Sequence, residues 1–231
     1  MARVVPMCQT GALKRLISPR GNCWPESPDA IVSFVMTPTE SVLDLFRFTG
    51  AYLEGHFRLS SGLHSDRYLQ CALVLEHPKA AEKLGKMLAT MLRPQLGPGP
   101  GVVVSPAMGG LIIGHEVARA RGCRHIFTER DPETRQMVLR RGFSVQPGEI
   151  ACVIEDVITT GGSTADVIRV LRDAGADVVA AGSIIDRSNG LADVGVPRAA
   201  LVTLDVSAYA PEDCPMCRQG LRLVKPGSRP A

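Results

Sequence analysis

Two adjacent carboxylates, Glu155 and Asp156, come directly after an apolar run, and a turn rich in hydroxyl groups and glycine follows them. The turn and the two residues that lead into it are Val157, Ile158, Thr159, Thr160, Gly161, Gly162 and Ser163. Ligands of open α/β sheets bind beyond the carboxyl ends of the strands, where helix N-termini offer free amides. Glycine allows close approach to the backbone, and hydroxyl groups add donors. Residues 159–163 are therefore suited to binding a phosphate monoester.

The two carboxylates would repel a phosphate that touched them, so they are better suited to the hydroxyls of a diol, to a hydrated Mg²⁺, or to both. Acids after a strand can simply begin a turn, and a Thr/Gly/Ser turn can simply cap a helix. Neither explanation accounts for the combination. The segment lacks the Gly-Lys-Ser/Thr ending of a Walker loop and the Gly-x-Gly-x-x-Gly of a dinucleotide fingerprint, so those two nucleotide-binding classes are excluded.

The elements that would position these groups alternate between strands and helices. The strand-like runs are apolar and rich in β-branched residues, and they lie at residues 102–105, 126–128, 151–154, 178–185 and 200–206. Helix-period segments follow two of them, at residues 109–121 and from Gly162 to near Gly175. Runs that are apolar on both faces belong in a parallel sheet that helices cover on each side. The pattern predicts an α/β domain built on parallel strands.

In the N-terminal half, the sequence pattern predicts helices on either side of a short β segment. Thr37-Pro38-Thr39-Glu40 has the form of a helix start, with Thr37 as N-cap and proline at the first helical position. Apolar residues at helical spacing are Val42, Leu45, Phe46 and Leu53 for a first helix, and Ala81, Leu84, Leu88 and Leu92 for a second helix after Pro78. Between them, residues 57–62 and 65–69 predict short strands and turns. Residues 129–147 interrupt the later alternation and predict an exposed loop or hairpin.

Composition excludes several classes of partner. The chain has 231 residues, 45% of them hydrophobic, which is enough for one substantial core. Its 26 basic and 23 acidic side chains leave a net charge of +3, too small to indicate nucleic-acid binding. No window approaches the roughly 18 consecutive apolar residues of a membrane span. Seven cysteines, an odd number, favour a reducing compartment, so we expect a cytoplasmic protein.

The first 35 residues differ from the rest of the chain. Four prolines break any periodicity there, and no acidic residue occurs before Glu26. We expect residues 1–35 to be a disordered or non-native extension and residues 36–231 to form a single domain.

The segment at residues 151–164 resembles the phosphoribosyl-diphosphate (PRPP) binding motif of type I phosphoribosyltransferases. Residues 55–62, together with Ser65 and Tyr68, resemble the N-terminal element of orotate phosphoribosyltransferases. Residues 183–187 resemble the strand that ends in the orotate-contacting arginine of that family. The resemblance implies a Rossmann-like, five-stranded parallel sheet flanked by helices. It further implies a small N-terminal hood mainly in residues 36–75, a PRPP-binding core at about 76–207 and a C-terminal tail at 208–231.

The resemblance also implies a reaction and a set of roles. Orotate and PRPP would give orotidine 5′-monophosphate and diphosphate in de novo pyrimidine biosynthesis, with Mg²⁺ as cofactor. Glu155 and Asp156 would hold the ribose hydroxyls and assist the Mg²⁺ that PRPP carries, residues 157–163 would bind PRPP, and Thr159 and Arg187 would meet orotate. The family forms homodimers in which the loop corresponding to residues 129–142 reaches the partner's site.

The physical demands of this reaction agree with those roles. Breaking the C1′ bond develops positive charge on the ribose and negative charge on the diphosphate, so carboxylates beside the ribose and cations beside the diphosphate favour the transition state. Orotate is an anionic ring, and Arg187 can supply the fork-shaped donor that such a ring needs.

The sequence departs from the family at its lysines. Ser60 and Gly109 stand where the family has lysine in the Phe-x-Leu-x-Ser-Gly element and in the Ser-Pro-Ala turn. The family also has lysine in a mobile catalytic loop, but the corresponding residues 129–142 offer only arginines as cations, namely Arg130, Arg135, Arg140 and Arg141. Arginine can clamp a diphosphate but is a poor proton donor. Arg130 is the strongest catalytic candidate in the loop, together with Glu155 and Asp156, whereas the other three arginines equally fit a solvated hairpin.

One Cys-x-x-Cys pair, Cys214 and Cys217, lies near the C-terminus. Zinc normally needs four ligands, and no second pair follows. Zinc shared across a dimer, a redox pair and a plain reduced turn are all compatible with the sequence; we favour the reduced turn and predict no zinc site. His56 and His64 lie in the N-terminal element, where contact with substrate is one interpretation; we favour the other, that they are exposed loop histidines.

Two alternative functions are compatible with the PRPP motif. One is a purine or xanthine phosphoribosyltransferase of the same fold, and the other is a regulator that senses PRPP without catalysis. The absent lysines are compatible with the regulator, but the sequence shows neither a helix-turn-helix nor a basic nucleic-acid patch through which it would act.

Overall fold

The computed structural model describes residues 16–17, 23–24, 38–59, 61–97, 101–204 and 208–226. Before residue 38 it describes only two short strands, β1 (Leu16–Ile17) and β2 (Cys23–Trp24), which pair antiparallel. The rest of the proposed extension and the N-cap residue Thr37 lie outside the described residues.

A six-stranded sheet forms the centre of the molecule. Its strands are β5 (Val102–Pro106), β6 (Arg124–Arg130), β7 (Met137–Leu139), β8 (Ile150–Ile158), β9 (Asp177–Asp186) and β10 (Arg198–Thr203). The order across the sheet is β10-β9-β8-β5-β6-β7, and all neighbours are parallel except β7, which pairs antiparallel with β6. The predicted parallel α/β sheet is confirmed, but the predicted count of five strands is one too low. The expected hairpin after β6 supplies the sixth strand, because its Met137 packs into the core at the sheet edge.

Helices cover both faces of this sheet. They are α3 (Pro78–Met91), α4 (Arg93–Leu96), α5 (Gly110–Arg121) and α6 (Gly162–Asp173). Val103 of β5 packs into a core with α3 and α5, whereas Val102 and Val104 pack into a second core with α6. Burial on both faces explains why the strands are continuously apolar. Within the described part of the chain, no helix has the length and apolar character needed to cross a membrane.

The N-terminal part consists of α1 (Pro38–Phe48), the antiparallel hairpin of β3 (Tyr52–Arg58) and β4 (His64–Leu69), and α2 (Cys71–Leu75). The prediction that Leu53 belongs to the first helix is wrong, since Leu53 lies in β3. Gly50 adopts a φ of 68°, and the amide of Ala51 donates to the carbonyl of Phe46, which ends α1 before Leu53. The predicted strands around residues 57 and 65–69 are confirmed.

The C-terminal segment folds back onto this hairpin. It contains α7 (Pro215–Arg218). Tyr209 and His64 exchange two main-chain hydrogen bonds of 2.8 Å. The amide of Val224 donates to His56, and the carbonyl of Val224 accepts from Arg58, each at 2.8 Å. The C-terminal segment therefore forms main-chain hydrogen bonds with both strands of the hairpin.

Candidate functional site

The carboxylate pair occupies the carboxyl end of β8, the central strand next to β5 and β9. Glu155 is half-buried, and its Oε2 accepts a 2.5 Å hydrogen bond from Oγ1 of Thr164 in α6. Burial raises the pKa of Glu155 to about 7; the hydrogen bond from Thr164 opposes this rise, and the charge of Asp156 adds to it. The Glu155 carboxyl therefore changes charge near neutral pH.

Asp156 lies near the end of β8 and against the turn that follows β5. Its Oδ1 accepts a 2.9 Å hydrogen bond from the amide of Val157, and burial nevertheless raises its pKa. A β-carbon built on Gly109 would lie 2.6 Å from Oδ1 of Asp156, so any side chain at position 109 requires this carboxyl to move. The Ser-Pro-Ala turn thus lies directly against Asp156. The close contact also gives a physical reason why glycine occupies this position.

The turn between β8 and α6 requires glycine at position 161. Gly161 has a φ of 82°, and a β-carbon there would lie 2.7 Å from Cγ1 of Val194. Its carbonyl accepts the first helical hydrogen bond of α6, from Ala165 at 2.8 Å. Thr159 and Thr160 are exposed, so their hydroxyls are accessible to a ligand at the start of a 12-residue helix.

Arg130 reaches this turn from the end of β6. Its guanidinium donates to Oγ of Ser163 at 3.3 Å, to Oδ2 of Asp166 at 3.4 Å and to the carbonyl of Arg135 at 3.0 Å. Arg130 therefore lies beside the predicted phosphate-binding residues of its own chain.

The other loop arginines lie elsewhere. Arg141 pairs with Glu129 at 2.8 Å and stacks over the ring of Phe127 at 5.8 Å, which fixes it to the outer edge of the sheet. Arg135 and Arg140 are exposed. Of the four arginines, the structure brings only Arg130 to the turn in the described part of the chain.

Arg187 follows β9 and is anchored by its amide, which donates to the carbonyl of Ile158 at 2.8 Å. Its Nε is buried and has no hydrogen-bond partner among the described residues. Buried donors are almost always paired in native proteins, so this one indicates a missing acceptor. Burial lowers the pKa of Arg187, and Tyr68 opposes that shift.

Tyr68 is a site residue to which the sequence assigned no role. Burial raises its pKa, the positive charge of Arg187 opposes this, and Cys71 and Asp156 add to it. Tyr68, on β4, is therefore close enough to Arg187 and Asp156 for their charges to change the pKa of its hydroxyl. The sequence signal for it was the resemblance of its segment to the family's N-terminal element.

Asp186 and Arg198 form a second feature that sequence reasoning missed. Asp186 is 1% exposed, pairs with Arg198 at 2.7 Å and accepts hydrogen bonds from Ser188 and from the amide of Gly190. The pair fixes the loop that begins with Arg187. No sequence spacing indicates it, because Arg198 reaches Asp186 only once β10 pairs with β9.

The interpretation of His56 and His64 as exposed loop histidines is wrong. They lie in β3 and β4 and are 4% and 5% exposed. The hairpin buries them against the C-terminal segment, where Cys214 and Cys217 also lie. Ser60, the other position with an absent lysine, lies outside the described residues.

Comparison with known proteins accords with this geometry. No protein-family model matches the chain. The orotate phosphoribosyltransferase of Pelotomaculum thermopropionicum is 54% identical over 190 residues, which cover 82% of this chain and 97% of the relative. The chain belongs to the orotate phosphoribosyltransferase family.

Solved structures agree with the family assignment. The crystal structure of orotate phosphoribosyltransferase from Aeropyrum pernix is 27% identical, with a TM-score of 0.57, over 71% of this chain and 93% of that one. A crystal structure of adenine phosphoribosyltransferase has the same TM-score of 0.57 at 14% identity, over 72% of this chain and 100% of that one. That second likeness shows the shared fold alone. The predicted type I phosphoribosyltransferase fold of this orotate phosphoribosyltransferase family member is confirmed.

Proposed function

We propose that this chain transfers the phosphoribosyl group of PRPP to orotate, releasing diphosphate and forming orotidine 5′-monophosphate in pyrimidine biosynthesis. Membership of the orotate phosphoribosyltransferase family supports the reaction. The observation that carries the choice of base is the buried, unpaired Nε of Arg187, next to Tyr68 and beyond the carboxyl end of β9. An anionic ring would supply the acceptor that this donor lacks.

The ribose is assigned to the carboxylate pair. Glu155 and Asp156 would accept hydrogen bonds from its two hydroxyls, because carboxylates are acceptors and lie beside the phosphate turn. As the C1′ bond to diphosphate breaks, the ribose becomes positively charged. The carboxylates, held in a half-buried site where charges interact strongly, stabilise that charge. Their ionised form is the productive one.

The phosphate groups are assigned to the two turns. Residues 159–163 would bind the 5′-phosphate through backbone amides and the exposed hydroxyls of Thr159 and Thr160. The departing diphosphate would lie at the turn containing Gly109, where close backbone approach is available and amides can donate. Arg130, already at the phosphate turn, would add a fixed positive charge.

The residues present fit a magnesium ion. Carboxylate oxygens are the ligands that Mg²⁺ prefers, and Glu155 and Asp156 are consecutive residues near the carboxyl end of β8. When bound with PRPP, Mg²⁺ neutralises diphosphate charge. Each carboxylate has one oxygen engaged, by Thr164 for Glu155 and by the amide of Val157 for Asp156, so the second oxygen of each would hold the hydration shell of the ion.

Orotate would lie between Arg187 and Tyr68. The guanidinium can donate two parallel hydrogen bonds to a carboxylate or to a ring carbonyl and adjacent group. Asp186 and Arg198 hold the loop after Arg187, so the guanidinium needs little reorganisation on binding. Thr159, which follows Ile158, would contact the same ring.

A homodimer is part of the proposal. The pairing of β6 with β7 keeps the base of loop 129–142 on its own sheet, with Arg130 next to Ser163. The tip of the loop, residues 132–136, is exposed and would reach the site of the partner subunit. A cytoplasmic location fits the unbridged cysteines of the described chain, which are Cys71, Cys123, Cys152, Cys214 and Cys217.

The decisive experiment measures the loss of orotate absorbance with PRPP and Mg²⁺, with adenine, hypoxanthine, xanthine and uracil in parallel. Turnover of orotate alone is expected. Turnover of another base would overturn the assignment of Arg187 and keep the PRPP site. PRPP binding without turnover of any base would instead favour a PRPP-sensing regulator.

A further inference from the structure

Four metal-ligating side chains converge between the β3–β4 hairpin and the C-terminal segment. They are His56, His64, Cys214 and Cys217, and their ligand atoms all lie within 4.8 Å of one another. The cluster joins two parts of the chain, since 153 positions separate His64 from Cys217. His56, His64 and Cys214 are buried, and Cys217 closes the cluster on its exposed side.

We propose that this chain holds a structural zinc ion through Nε2 of His56, Nδ1 of His64 and the two sulfurs of Cys214 and Cys217. The four atoms belong to the Cys₂His₂ set that is typical of closed structural zinc sites. Two thiolates and two neutral imidazoles balance the charge of Zn²⁺, so the complete site can be buried without net charge.

Four of the six spacings between these atoms lie close to the edges of a zinc tetrahedron. Zn–N bonds of about 2.0–2.1 Å and Zn–S bonds of about 2.3 Å put N and S ligands roughly 3.5 Å apart and two N ligands roughly 3.3 Å apart. The sulfurs of Cys214 and Cys217 lie 3.5 Å and 3.6 Å from Nε2 of His56. The Cys217 sulfur lies 3.3 Å from Nδ1 of His64, and the two nitrogens lie 2.9 Å apart. A small outward movement of the imidazoles would bring the two nitrogens to the spacing of a tetrahedral site.

The histidine at the centre of the cluster is oriented as a ligand. Nδ1 of His56 lies 2.8 Å from the carbonyl of Leu221, so this nitrogen carries the proton and Nε2 presents its lone pair to the cluster. One lone pair cannot serve His64, Cys214 and Cys217 together through hydrogen bonds. A metal ion satisfies all four groups at once.

The zinc site would stabilise the β3–β4 hairpin. A two-stranded hairpin is marginally stable by itself, and β3–β4 is a separate two-stranded sheet. The cluster and the main-chain bonds of Tyr209 and Val224 fasten the C-terminal segment to it. Zinc binding would therefore stabilise the hairpin that carries Tyr68 towards Arg187.

The first test measures the metal content of untagged full-length protein purified without chelators. About one zinc ion per chain is expected. After removal of zinc, titration with Co²⁺ alone is expected to give the thiolate-to-cobalt charge-transfer and intense ligand-field bands of a tetrahedral site. Absence of both zinc and the tetrahedral cobalt spectrum, in protein whose thiols are kept reduced, would overturn the proposal.

Variants locate the ion. Cys217→Ser changes the most exposed ligand, so it disturbs folding least, and it is expected to lower the zinc content at least tenfold. Cys123→Ser, at a half-buried thiol outside the cluster, is the matched control and is expected to retain zinc. Chelator is expected to lower the Tm of the wild type, with recovery on adding Zn²⁺, and to leave the Tm of Cys217→Ser unchanged. Equal zinc in both variants would refute the assigned ligands.

Discussion

Oγ1 of Thr164 donates a 2.5 Å hydrogen bond to Oε2 of Glu155, which joins the first turn of α6 to the end of β8. Thr164 is fully buried, so this bond persists only while helix and strand keep their positions. It links the carboxylate assigned to the ribose with the helix whose N-terminal turn is assigned to the phosphate.

Thr164→Val is expected to shift the pH profile of turnover. The hydrogen bond stabilises the ionised carboxylate, so its loss raises the pKa of Glu155 further above about 7. Activity needs the ionised form, and the acidic limb of kcat/KM should therefore move to higher pH by roughly one unit. Thr164→Ser keeps a hydroxyl and should leave the limb in place. If the acidic limb of kcat/KM does not move in Thr164→Val, the ionisation of Glu155 does not control activity.

Glu155→Gln is expected to stabilise the protein in mildly alkaline solution while lowering activity. The folded-state pKa of about 7 lies above the ordinary value of 4.5, so the stability linked to the protonated carboxyl is lost as pH rises through 7. At pH 8 the neutral amide should add on the order of 2 kcal/mol to the free energy of unfolding, and less at pH 5. Urea unfolding at both pH values measures this. Equal effects at the two pH values would contradict the shifted pKa.

The carboxylate site was predictable because its residues are neighbours in sequence. A strand, two acids, a glycine turn and a helix follow one another, so Glu155 and Gly161 take their places from local rules. The parallel sheet was predictable for a related reason, since burial on both faces makes each strand continuously apolar.

Contacts between distant segments were not predictable. The approach of His56 to Cys217 spans 161 positions and depends on how the C-terminal segment returns to the hairpin. The Asp186–Arg198 pair depends on the register of two strands. The edge strand β7 has only three residues, which is too short for a period-of-two pattern to be recognised.

Arg187→Ala is expected to raise the KM for orotate by about tenfold to a hundredfold, the range for losing hydrogen bonds to a charged group. Because Nε has no partner in the described protein, the free energy of unfolding should not fall. PRPP affinity without orotate should stay the same. Arg169→Ala, at an exposed arginine of α6, is the control for loss of charge. Steady-state kinetics with each substrate varied gives the answer; an unchanged orotate KM would remove Arg187 from the base site.

Arg198→Met is expected to destabilise the protein by about 3–5 kcal/mol, because it leaves the buried Asp186 carboxylate without its cation. Burial alone would raise the pKa of Asp186, but the hydrogen bonds from Ser188 and Arg198 prevail and lower it. The ion pair's contribution to the free energy of unfolding is thus present above the pKa that Asp186 has in the unfolded state. It is lost as the pH falls through the pKa of Asp186 in the folded state. The double variant Asp186→Asn/Arg198→Met should recover much of the loss in denaturant unfolding. If it does not, the two residues act independently.

Arg130→Ala is expected to lower kcat/KM for PRPP by about tenfold to a hundredfold, since one charged hydrogen-bond donor is removed from beside the phosphates. Arg130→Lys keeps the charge but loses the fork that reaches both Ser163 and Asp166, so it should recover only part of the rate. Arg141→Ala, in the same loop but paired with Glu129, should retain nearly full activity. If the two alanine variants lose activity equally, the loop acts through its overall charge, and the placement of Arg130 at the turn is not what matters.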